Sequence, residues 1–233
     1  MFMNKTKTRI EQMFSAIVPR YDLMNRLLSG GMDKRWRSRL VKALELSPGN
    51  KVLDLCAGTG DVALEIVRQV PGVSVVALDF SSSMLEEGRK KAAQARAQEK
   101  IRFEVGDATA LSFPDNSFDA SAMAFGLRNV EDARKGIAEM ARVLKPGGRG
   151  AILEFSRPSN SLLRLGSRLY IRIMVPLLGG LFSQKSAYQY LADSIEEFTQ
   201  NVNVPKLMEQ GFGQVQARPL MFGVVSLYTG KKR

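Results

Sequence analysis

The stretch VLDLCAGTGDVALE, residues 52–65, decides the fold of this 233-residue chain. It starts as an apolar run typical of a buried strand, turns at two glycines and continues with the apolar spacing of a helix. Gly58, Gly60 and Ala63 satisfy the pattern G-x-G-x-x-G/A, in which a glycine turn joins a strand to the following helix. This order indicates the ligand-binding half of a Rossmann-like, doubly wound α/β sheet.

From Lys51 onward, short β-branched runs alternate with helical patterns. Alternation of this kind predicts a parallel sheet with helical crossovers. The predicted strands are 51–57, 73–79, 101–107, 118–125 and 148–155, and the helices between them are 61–69, 83–98 and 131–144. After Gly211, residues 213–220 and 222–230 are predicted to form a closing antiparallel pair.

The whole chain, residues 1–233, is interpreted as one domain with helical additions. Its parts are an N-terminal helical cap at 1–46, a cofactor-binding core at 47–156, a helical lid and substrate region at 157–205, and a closing helix and strand pair at 206–233. Within the cap we predict two short helices, 8–18 and 19–28, because Pro19 suits a first helical position. The lid is expected over the carboxyl edge of the sheet, where such sheets bind ligands.

The composition excludes several classes of chemistry. The chain has no histidine and a single cysteine, Cys56, so an internal disulfide and a Cys/His metal site are both excluded and no metal is expected. The longest apolar stretch, IMVPLLGGLF at 173–182, is half the length that a bilayer-spanning helix needs. With no leader pattern at the start, we expect a cytoplasmic protein.

The net charge of +11 is concentrated in two segments. Residues 1–50 hold 10 Lys or Arg against 4 Asp or Glu, and residues 157–185 hold 5 against none. Such cationic additions to a neutral core favour an anionic partner surface, either phospholipid headgroups or nucleic acid. A solvated face that aids solubility is the alternative.

The charges around the glycine turn distinguish two cofactors. Asp61 follows Gly60 at the start of the helix, where the pyrophosphate of a nicotinamide dinucleotide would lie. A carboxylate there repels phosphate but attracts the ammonium of S-adenosylmethionine. Asp54 in the strand either orients the backbone of the loop or holds the same amino group, directly or through water. Alternatively, Asp61 only complements the helix dipole. The pattern favours S-adenosylmethionine.

Further cofactor ligands are predicted at the ends of the next strands. Asp79 can accept both ribose hydroxyls, and Asp107 can accept from the adenine amino group while Ala108 donates its backbone amide. A helix cap is the alternative for Asp107. The complete predicted set is Asp54, Gly58, Thr59, Gly60, Asp79, Phe80, Asp107, Ala108 and Ala124.

These residues, with FPDNSFD before the fourth strand and RVLKPGG before the fifth, resemble the class I S-adenosylmethionine-dependent methyltransferases over residues 47–156. Cys56 stands at the first glycine position of that pattern. We interpret it as a tightly packed small residue rather than a nucleophile, because the chain has no histidine to activate it.

Three further segments extend the resemblance over nearly the whole chain. YDLMNRLLSGGMDKRW at 21–36, FGLRNV at 125–130 and RVLKPGGRGAILEFS at 142–156 are similar to the UbiE/MenG/COQ5 family of quinone-biosynthesis C-methyltransferases. The chain departs from the family pattern at Asp33, usually His, at Gly150, usually a bulky aliphatic residue, and at Ala124, commonly Ser.

The resemblance implies C-methylation of a polyprenylated demethylquinol, either a demethylmenaquinol or a methoxy-benzoquinol. A phenol has a pKa of about 10, so its ring carbon becomes a good nucleophile only as the hydroxyl proton leaves. We expect Arg128 and Asn129 to hold the developing phenolate, with activation of a water as the other role open to Arg128 and with Asp61 as a proton acceptor through water. Alternatively, Arg128 forms a salt bridge to Glu131 or Asp132.

The acceptor itself is expected to contact Tyr21, Asn25 and Phe125, although Tyr21 could instead be simple core packing. Because such an acceptor lives in the bilayer, we expect transient docking on the inner face of the membrane. Arg164, Arg168 and Arg172 recur every four residues and predict a cationic stripe for anionic headgroups. A lid helix with its arginines in water is the alternative, and homo-oligomer formation stays open.

Two other functions remain as alternatives at this point. An RNA methyltransferase fits the basic surplus, but the chain has no aromatic-rich base-stacking patch, so no nucleic acid is expected. A non-catalytic S-adenosylmethionine-binding member of a quinone-pathway complex would keep the fold without turnover.

Overall fold

The computed structural model describes residues 7–174 and 185–233, so most of the apolar stretch 173–182 lies outside the described residues. The helices are α1 (Lys7–Leu28), α2 (Met32–Ala43), α3 (Asp61–Gln69), α4 (Ser82–Gln94), α5 (Ala133–Val143), α6 (Ser161–Leu169), α7 (Lys185–Asn201) and α8 (Val204–Met208). The strands are β1 (Lys51–Leu55), β2 (Ser74–Asp79), β3 (Ile101–Val105), β4 (Phe118–Ala124), β5 (Leu144–Phe155), β6 (Phe212–Leu220) and β7 (Val225–Lys232).

The seven strands form one sheet in the order β3-β2-β1-β4-β5-β7-β6. The pairings among β1 to β5 are parallel, and those of β7 with β5 and of β6 with β7 are antiparallel. The predicted fold class, five parallel strands closed by an antiparallel pair, is confirmed. The chain order reverses between β1 and β4, which is the place where sheets of this type bind ligands.

Apolar side chains cover both faces of the central strands. Leu53 and Leu55 of β1 pack with the α5 side, whereas Val52 packs with α2 and α3 on the other face. This alternation follows from the two-residue period of a strand.

The packing of Phe212 explains why position 150 holds a glycine instead of the bulky aliphatic residue of the family pattern. Phe212 fills the space beside Gly150, and an added Cβ there would lie 2.6 Å from the ring.

Two helix predictions are corrected. Residues 7–28 form one helix rather than two, because a proline within a helix removes a single backbone donor and the hydrogen-bond ladder continues on both sides. The helix predicted at 83–98 ends at Gln94, where Arg96 adopts a left-handed φ of 54° and the Ala97 amide closes the helix on the Ala92 carbonyl.

The predicted lid is helical where the structure describes it. It comprises α6, a π-helical turn at Tyr170–Met174 and α7. The side chains of α6 are not buried, so this helix leaves an apolar face in contact with solvent. Among the described residues no helix is long and apolar enough to cross a membrane.

Candidate active site

Two adjoining cavities lie at the carboxyl edge of the sheet. The first, called the cofactor cleft here, has about 740 Å³ of empty space and runs along the ends of β1, β2, β3 and β4. The second, called the acceptor chamber, has about 1100 Å³ and extends under α1, α2, the π-helical turn and α7. Tyr21, Cys56, Gly58, Ala124 and Phe125 line both cavities. The two spaces therefore meet at the glycine turn.

The glycine turn is fixed by backbone geometry and close packing. Gly60 has a φ of 76°, and a Cβ there would lie 2.9 Å from the Phe103 ring. Cys56 also adopts a left-handed φ, 54°, which explains why a glycine is usual at that position. An added Cβ on Gly126 would lie 2.3 Å from the Cβ of Cys56, so the structure gives Cys56 the tight-packing role expected of it.

The predicted ribose and adenine ligands lie together in the cofactor cleft. Asp79 accepts the Gly58 amide at 2.8 Å and the Ser81 amide at 2.9 Å, which orients its carboxylate beside the turn. Asp107 accepts the Thr109 amide at 2.9 Å, a capping contact of the kind considered as its alternative role. Phe80, Asp107 and Ala108 all line the cleft. The strand ends therefore bring together the residues that the sequence nominated separately.

Asp54 lies where a cationic group would be held. It is buried, its Oδ2 accepts the Ala63 amide at 3.1 Å, and its Oδ1 has no partner among the described residues. Burial raises the pKa of Asp54 to about 8; the Ala63 amide lowers it, and the nearby carboxylates of Asp79 and Asp61 raise it. A buried acceptor without a donor fits the ammonium of S-adenosylmethionine.

Asp61 is held by two cations. Its carboxylate pairs with Arg37 at 2.8 Å and with Lys91, which also contacts Asp22 at 2.6 Å. Although burial raises the pKa of Asp61, Arg37 and Lys91 lower it by more, so the net shift is downward. A carboxylate with a lowered pKa is a weak base, which argues against the expected role of Asp61 as a proton acceptor.

This ion cluster joins all the elements around the methionine end of the site. Asp33 of α2, which replaces the usual His, pairs with Arg37, and Thr59 of the glycine turn donates to Asp22 of α1 at 2.7 Å. The ionic members of the cluster are Asp22, Asp33, Arg37, Asp61 and Lys91. The cluster ties α1 and α2 to the glycine turn and so covers the chamber.

Arg128 lines the acceptor chamber from a 3-10 turn at Leu127–Asn129. The residue is 5% exposed, and its Nη1 lies 3.1 Å from Oε1 of the fully buried Glu154 and also donates to the Phe125 carbonyl. Its guanidinium lies 5.3 Å from the centre of the Phe155 ring. The ion-pair partner is therefore Glu154, and neither Glu131 nor Asp132.

Asn129 does not share the position of Arg128. It lines the cofactor cleft, and its Oδ1 accepts a hydrogen bond from the Tyr190 hydroxyl at 3.2 Å. Successive residues of a 3-10 helix project about 120° apart, so adjacent side chains reach different walls. Arg128 therefore lines the chamber and Asn129 the adjoining cleft, and their joint action on the phenolate stays a prediction.

Tyr21 and Asn25 both line the acceptor chamber from α1 and hydrogen bond to each other. Burial raises the pKa of Tyr21, while the charge of Arg128 and the hydrogen bond from Asn25 lower it, and the net shift is upward. The phenol therefore stays neutral near pH 7 and can donate or accept a hydrogen bond next to Arg128.

Sequence reasoning missed part of the chamber wall. Phe125 lies between Trp36, at 6.1 Å between ring centres, and Phe155, at 5.2 Å, and the three rings form an aromatic wall. Trp36 is the last residue of the first family segment and Phe155 the residue before the last of the third, so both were within the quoted motifs. Glu154 and Lys91 carried no local signal, because their importance comes from contacts across 26 and 30 residues.

The predicted cationic stripe is partly neutralised. Arg168 and Arg172 pair with Glu196 of α7, the first at 2.6 Å, and Arg164 donates to the backbone carbonyls of Pro158 and Ser159. Because α7 packs beside the turn that follows α6, it supplies a carboxylate that the local pattern did not predict.

Comparison with known proteins identifies the family. The model of the ubiE/COQ5 methyltransferase family matches residues 2–232. The chain belongs to the ubiE/COQ5 methyltransferase family. It is an S-adenosylmethionine-dependent methyltransferase, and the cleft, the glycine turn and the donor-free oxygen of Asp54 fit that cofactor.

Curated relatives of the ubiE/COQ5 family cover nearly the whole chain. The ubiquinone/menaquinone biosynthesis C-methyltransferase UbiE of Geobacter sulfurreducens is 48% identical over 226 residues, which is 96% of this chain and 88% of the relative. The demethylmenaquinone methyltransferase of Thermus thermophilus is 46% identical over 222 residues, which is 94% of this chain and 100% of the relative.

Solved structures share the fold at low sequence identity. A putative S-adenosyl-L-methionine-dependent methyltransferase from Methanococcus maripaludis aligns with a TM-score of 0.64 and 22% identity over 100% of this chain and 97% of that one. The [4+2]-cyclase SpnF aligns with a TM-score of 0.68 and 17% identity over 97% of both chains. At this identity the likeness concerns the fold alone.

Proposed function

We propose that this protein transfers a methyl group to a ring carbon of a polyprenylated demethylquinol, either a demethylmenaquinol or a methoxy-benzoquinol. The observation that carries the proposal is the position of Arg128: a buried guanidinium beside an aromatic wall, in a chamber that joins the cofactor cleft. The names of the two curated relatives support the same acceptor class.

Bound S-adenosylmethionine supplies an electrophilic methyl group carried on a sulfonium. Asp54 would hold its ammonium, Asp79 its ribose hydroxyls, and Asp107 with Ala108 its adenine. Gly58 leaves open space above the turn, because an added Cβ there meets nothing within 4 Å. The charge pattern of these residues suits a cationic ligand.

In the proposed mechanism Arg128 stabilises the phenolate oxygen of the acceptor. Its guanidinium stays charged at any pH of interest, so it acts by charge and hydrogen bonding rather than as a base. The acceptor hydroxyl proton passes to water in the chamber, and electron density moves into the ring. The ring carbon then forms its bond to the methyl group as the sulfonium S–C bond breaks, and loss of that carbon's C–H proton to water restores the aromatic ring. Tyr21 and Asn25 orient the second ring oxygen, and the Trp36, Phe125 and Phe155 rings pack against the acceptor.

Asn129 has a supporting role in this proposal. By accepting from Tyr190 it links the 3-10 turn that carries Arg128 to α7 of the lid. Asp61 has a positioning role too, since its carboxylate organises the cationic cluster of Arg37 and Lys91.

The acceptor tail would leave through the apolar end of the chamber. That end is lined by Tyr170, Ile171, Leu191, Ile195, Met221, Val224 and Val225. Because the tail is a membrane lipid, we propose that the protein docks transiently on a bilayer by the surface around this end. Two features support this orientation: the exposed leucines of α6, and Arg168 of α6 with Arg172 of the π-helical turn, whose side chains are each more than half exposed.

Turnover with soluble acceptors tests the proposal. The purified chain should transfer labelled methyl from S-adenosylmethionine to a short-tail demethylmenaquinol or methoxy-benzoquinol, and the better acceptor identifies the ring class. Arg128→Ala should abolish transfer and leave cofactor affinity nearly unchanged. No transfer by the parent protein to either quinol, or equal loss of turnover and cofactor affinity in Arg128→Ala, would contradict the proposal.

A further inference from the structure

The turn between β6 and β7 presents an aromatic side chain to solvent. Phe222 is 80% exposed, the highest value among the large apolar side chains in the described part of the protein. Exposure of a whole phenyl ring to water is unfavourable relative to its burial. A ring in this position indicates a contact that is made outside the isolated chain.

The backbone of this turn is strained in a way that holds the ring outward. Met221, Phe222 and Gly223 have φ values of 43°, 57° and 88°, so three successive residues are left-handed. For a non-glycine residue this conformation is unfavourable. Glycine or asparagine would avoid that cost at position 222, so the conformation does not explain the choice of phenylalanine.

The base of the turn is fixed to the end of β5. Ser156 donates its hydroxyl to the Gly223 carbonyl at 2.8 Å and its amide to the Val224 carbonyl at 2.9 Å. The Val224 amide closes the turn on the Met221 carbonyl at 3.1 Å. The Phe222 ring therefore projects from a braced support rather than from a loosely held loop.

The turn lies at the apolar end of the acceptor chamber. Met221 and Val224, on the two sides of the ring, line the chamber together with Tyr170 and Ile171 of the lid. Because Val225 pairs with Phe155 at the carboxyl end of β5, the turn is on the ligand-binding edge of the sheet. Phe222 thus marks the opening through which a tail would leave.

Exposed apolar side chains continue around this opening. Arg164 of α6 donates to the Pro158 carbonyl, and Pro158 packs against Gly223, so the start of α6 is beside the turn. On the opposite side the Tyr170 hydroxyl donates to the Leu28 carbonyl at the end of α1. The exposed large hydrophobic residues of these elements are Leu23, Leu27, Leu162, Leu163, Leu165, Leu169, Tyr170, Ile173, Met221 and Phe222.

The charge of this rim favours a lipid surface as the occupant. Arg157, Arg164, Arg168 and Arg172 lie among the apolar residues. Glu196 pairs with Arg168 and Arg172, whereas Arg164 donates to backbone carbonyls. Leucine and phenylalanine side chains interspersed with arginines fit a bilayer interface with anionic headgroups. A protein partner would need a surface of its own that is both acidic and apolar to match this rim. Nothing in the described part of the chain points to such a partner.

We infer that the β6–β7 turn is a membrane anchor: Phe222 inserts between lipid headgroups and sets the apolar end of the acceptor chamber against the bilayer. This inference rests on the proposed function for the identity of the tail. The insertion itself depends only on the rim, because binding to lipid requires neither the acceptor nor the cofactor.

Vesicle sedimentation of the full-length chain tests the anchor. Phe222→Asn removes the ring, and asparagine tolerates the left-handed backbone, so the variant should unfold at the same or a higher temperature than the parent. Its partition onto phosphatidylcholine vesicles that contain phosphatidylglycerol should weaken about tenfold. Phe222→Trp should bind as tightly as the parent.

The Trp variant also gives a spectroscopic readout. The chain has one native tryptophan, the buried Trp36, so the fluorescence of the introduced indole is readily separated from it. A blue shift on addition of vesicles is expected if the turn enters the interface.

The control is Val105→Thr, because Val105 is 61% exposed at the other edge of the sheet, about 29 Å away at 4.8 Å per strand. This variant should bind vesicles like the parent.

Activity separates this inference from the proposed function. Phe222→Asn should methylate a soluble short-tail quinol at the parental rate and lose activity only on a long-tail quinol embedded in vesicles. If the parent binds vesicles through Phe222 but methylates neither quinol, the proposed function fails and the anchor stands. If Phe222→Asn binds vesicles like the parent, or the introduced indole shows no blue shift, the anchor is overturned.

Discussion

Arg128 and Glu154 form a buried ion pair in which Nη1 lies 3.1 Å from Oε1. The same carboxylate also accepts the Arg128 backbone amide at 3.2 Å and the Phe155 amide at 2.9 Å. Glu154 is at the end of β5 and Arg128 follows β4, so the parallel pairing of these strands brings the two residues together. A fully desolvated charge is tolerated only when it is paired and hydrogen bonded. Glu154 is therefore the residue that positions the guanidinium.

Glu154→Gln should lower kcat about 10- to 100-fold while the Kd for S-adenosylmethionine changes less than twofold. The amide keeps the shape of the side chain but carries no charge, so the Arg128 guanidinium loses its fixed orientation towards the chamber. Single-turnover kinetics and calorimetric titration measure the two quantities.

Tyr228→Phe provides the matched control. Tyr228 is buried, neighbours Glu154 and is not placed in either cavity, so its loss tests the effect of any polar change in this region. Parental kcat is expected for this variant. Parental kcat in Glu154→Gln as well would show that Arg128 needs no such support.

Cofactor binding should release a proton from Asp54. Its pKa is about 8 in the unliganded protein, so at pH 7 the carboxyl is mostly protonated. A bound ammonium favours the charged carboxylate and lowers this pKa, and a group that loses a proton on binding makes affinity rise with pH up to the unliganded pKa. Below pH 8 the affinity should therefore increase with pH.

Calorimetry in two buffers with different ionisation enthalpies counts this proton. The ligand amino group titrates in the same range, so the comparison with Asp54→Asn isolates the contribution of the carboxyl. The parent should release about one proton more than the variant at pH 7. Equal proton release in the two proteins would remove Asp54 from the ammonium site.

The sequence predicted the features that depend on local patterns. Strand positions, the glycine turn and the places of Asp79 and Asp107 in the cofactor cleft follow from short-range periodicity and from the rule that parallel strands end at one edge. The family segments also placed Arg128 in the site. These features have signals within a window of about 18 residues.

Features that depend on contacts across the fold were not predictable in the same way. From the sequence pattern alone, Glu154 is predicted to lie at an ordinary strand end and Lys91 on the solvated face of a helix. Their contacts with Arg128 and Asp61 exist only in the folded chain. The pairing of Arg168 and Arg172 with Glu196 similarly depends on how α7 packs. A single residue step, from Arg128 to Asn129, changed which cavity the side chain reaches, and a sequence pattern does not encode that direction.

The ion cluster around Asp61 should control how tightly the N-terminal helices close over the cofactor. Lys91→Met removes the cation that bridges Asp22 of α1 and Asp61 of α3. The two carboxylates then repel each other, because the charge that lay between them is gone. We expect the Kd for S-adenosylmethionine to rise about tenfold, mainly through faster dissociation. Stopped-flow displacement measures the dissociation rate.

Lys90→Met is the control for this change. Lys90 precedes Lys91, and its partner among the described residues is Glu87 on the surface of α4, at 3.6 Å, so its loss should leave cofactor dissociation unchanged. If dissociation from Lys91→Met is as slow as from the parent, the cluster does not hold the helices closed.

Ile171 should govern the acceptance of long tails. It lines the apolar end of the chamber from the π-helical turn, opposite Met221. Ile171→Trp enlarges the side chain and narrows this end, so KM for a long-tail quinol should rise about tenfold, while KM for a quinol without a tail changes little. The control is Ile173→Trp, because Ile173 lies on the same turn with its side chain about half exposed and does not line the chamber. Steady-state kinetics with a series of tail lengths distinguish the two variants. An equal rise in KM for both acceptors in Ile171→Trp would show that the tail does not pass Ile171. The next variants would then narrow the cavity between α1 and α7, which is lined by Met13, Ile17 and Leu191.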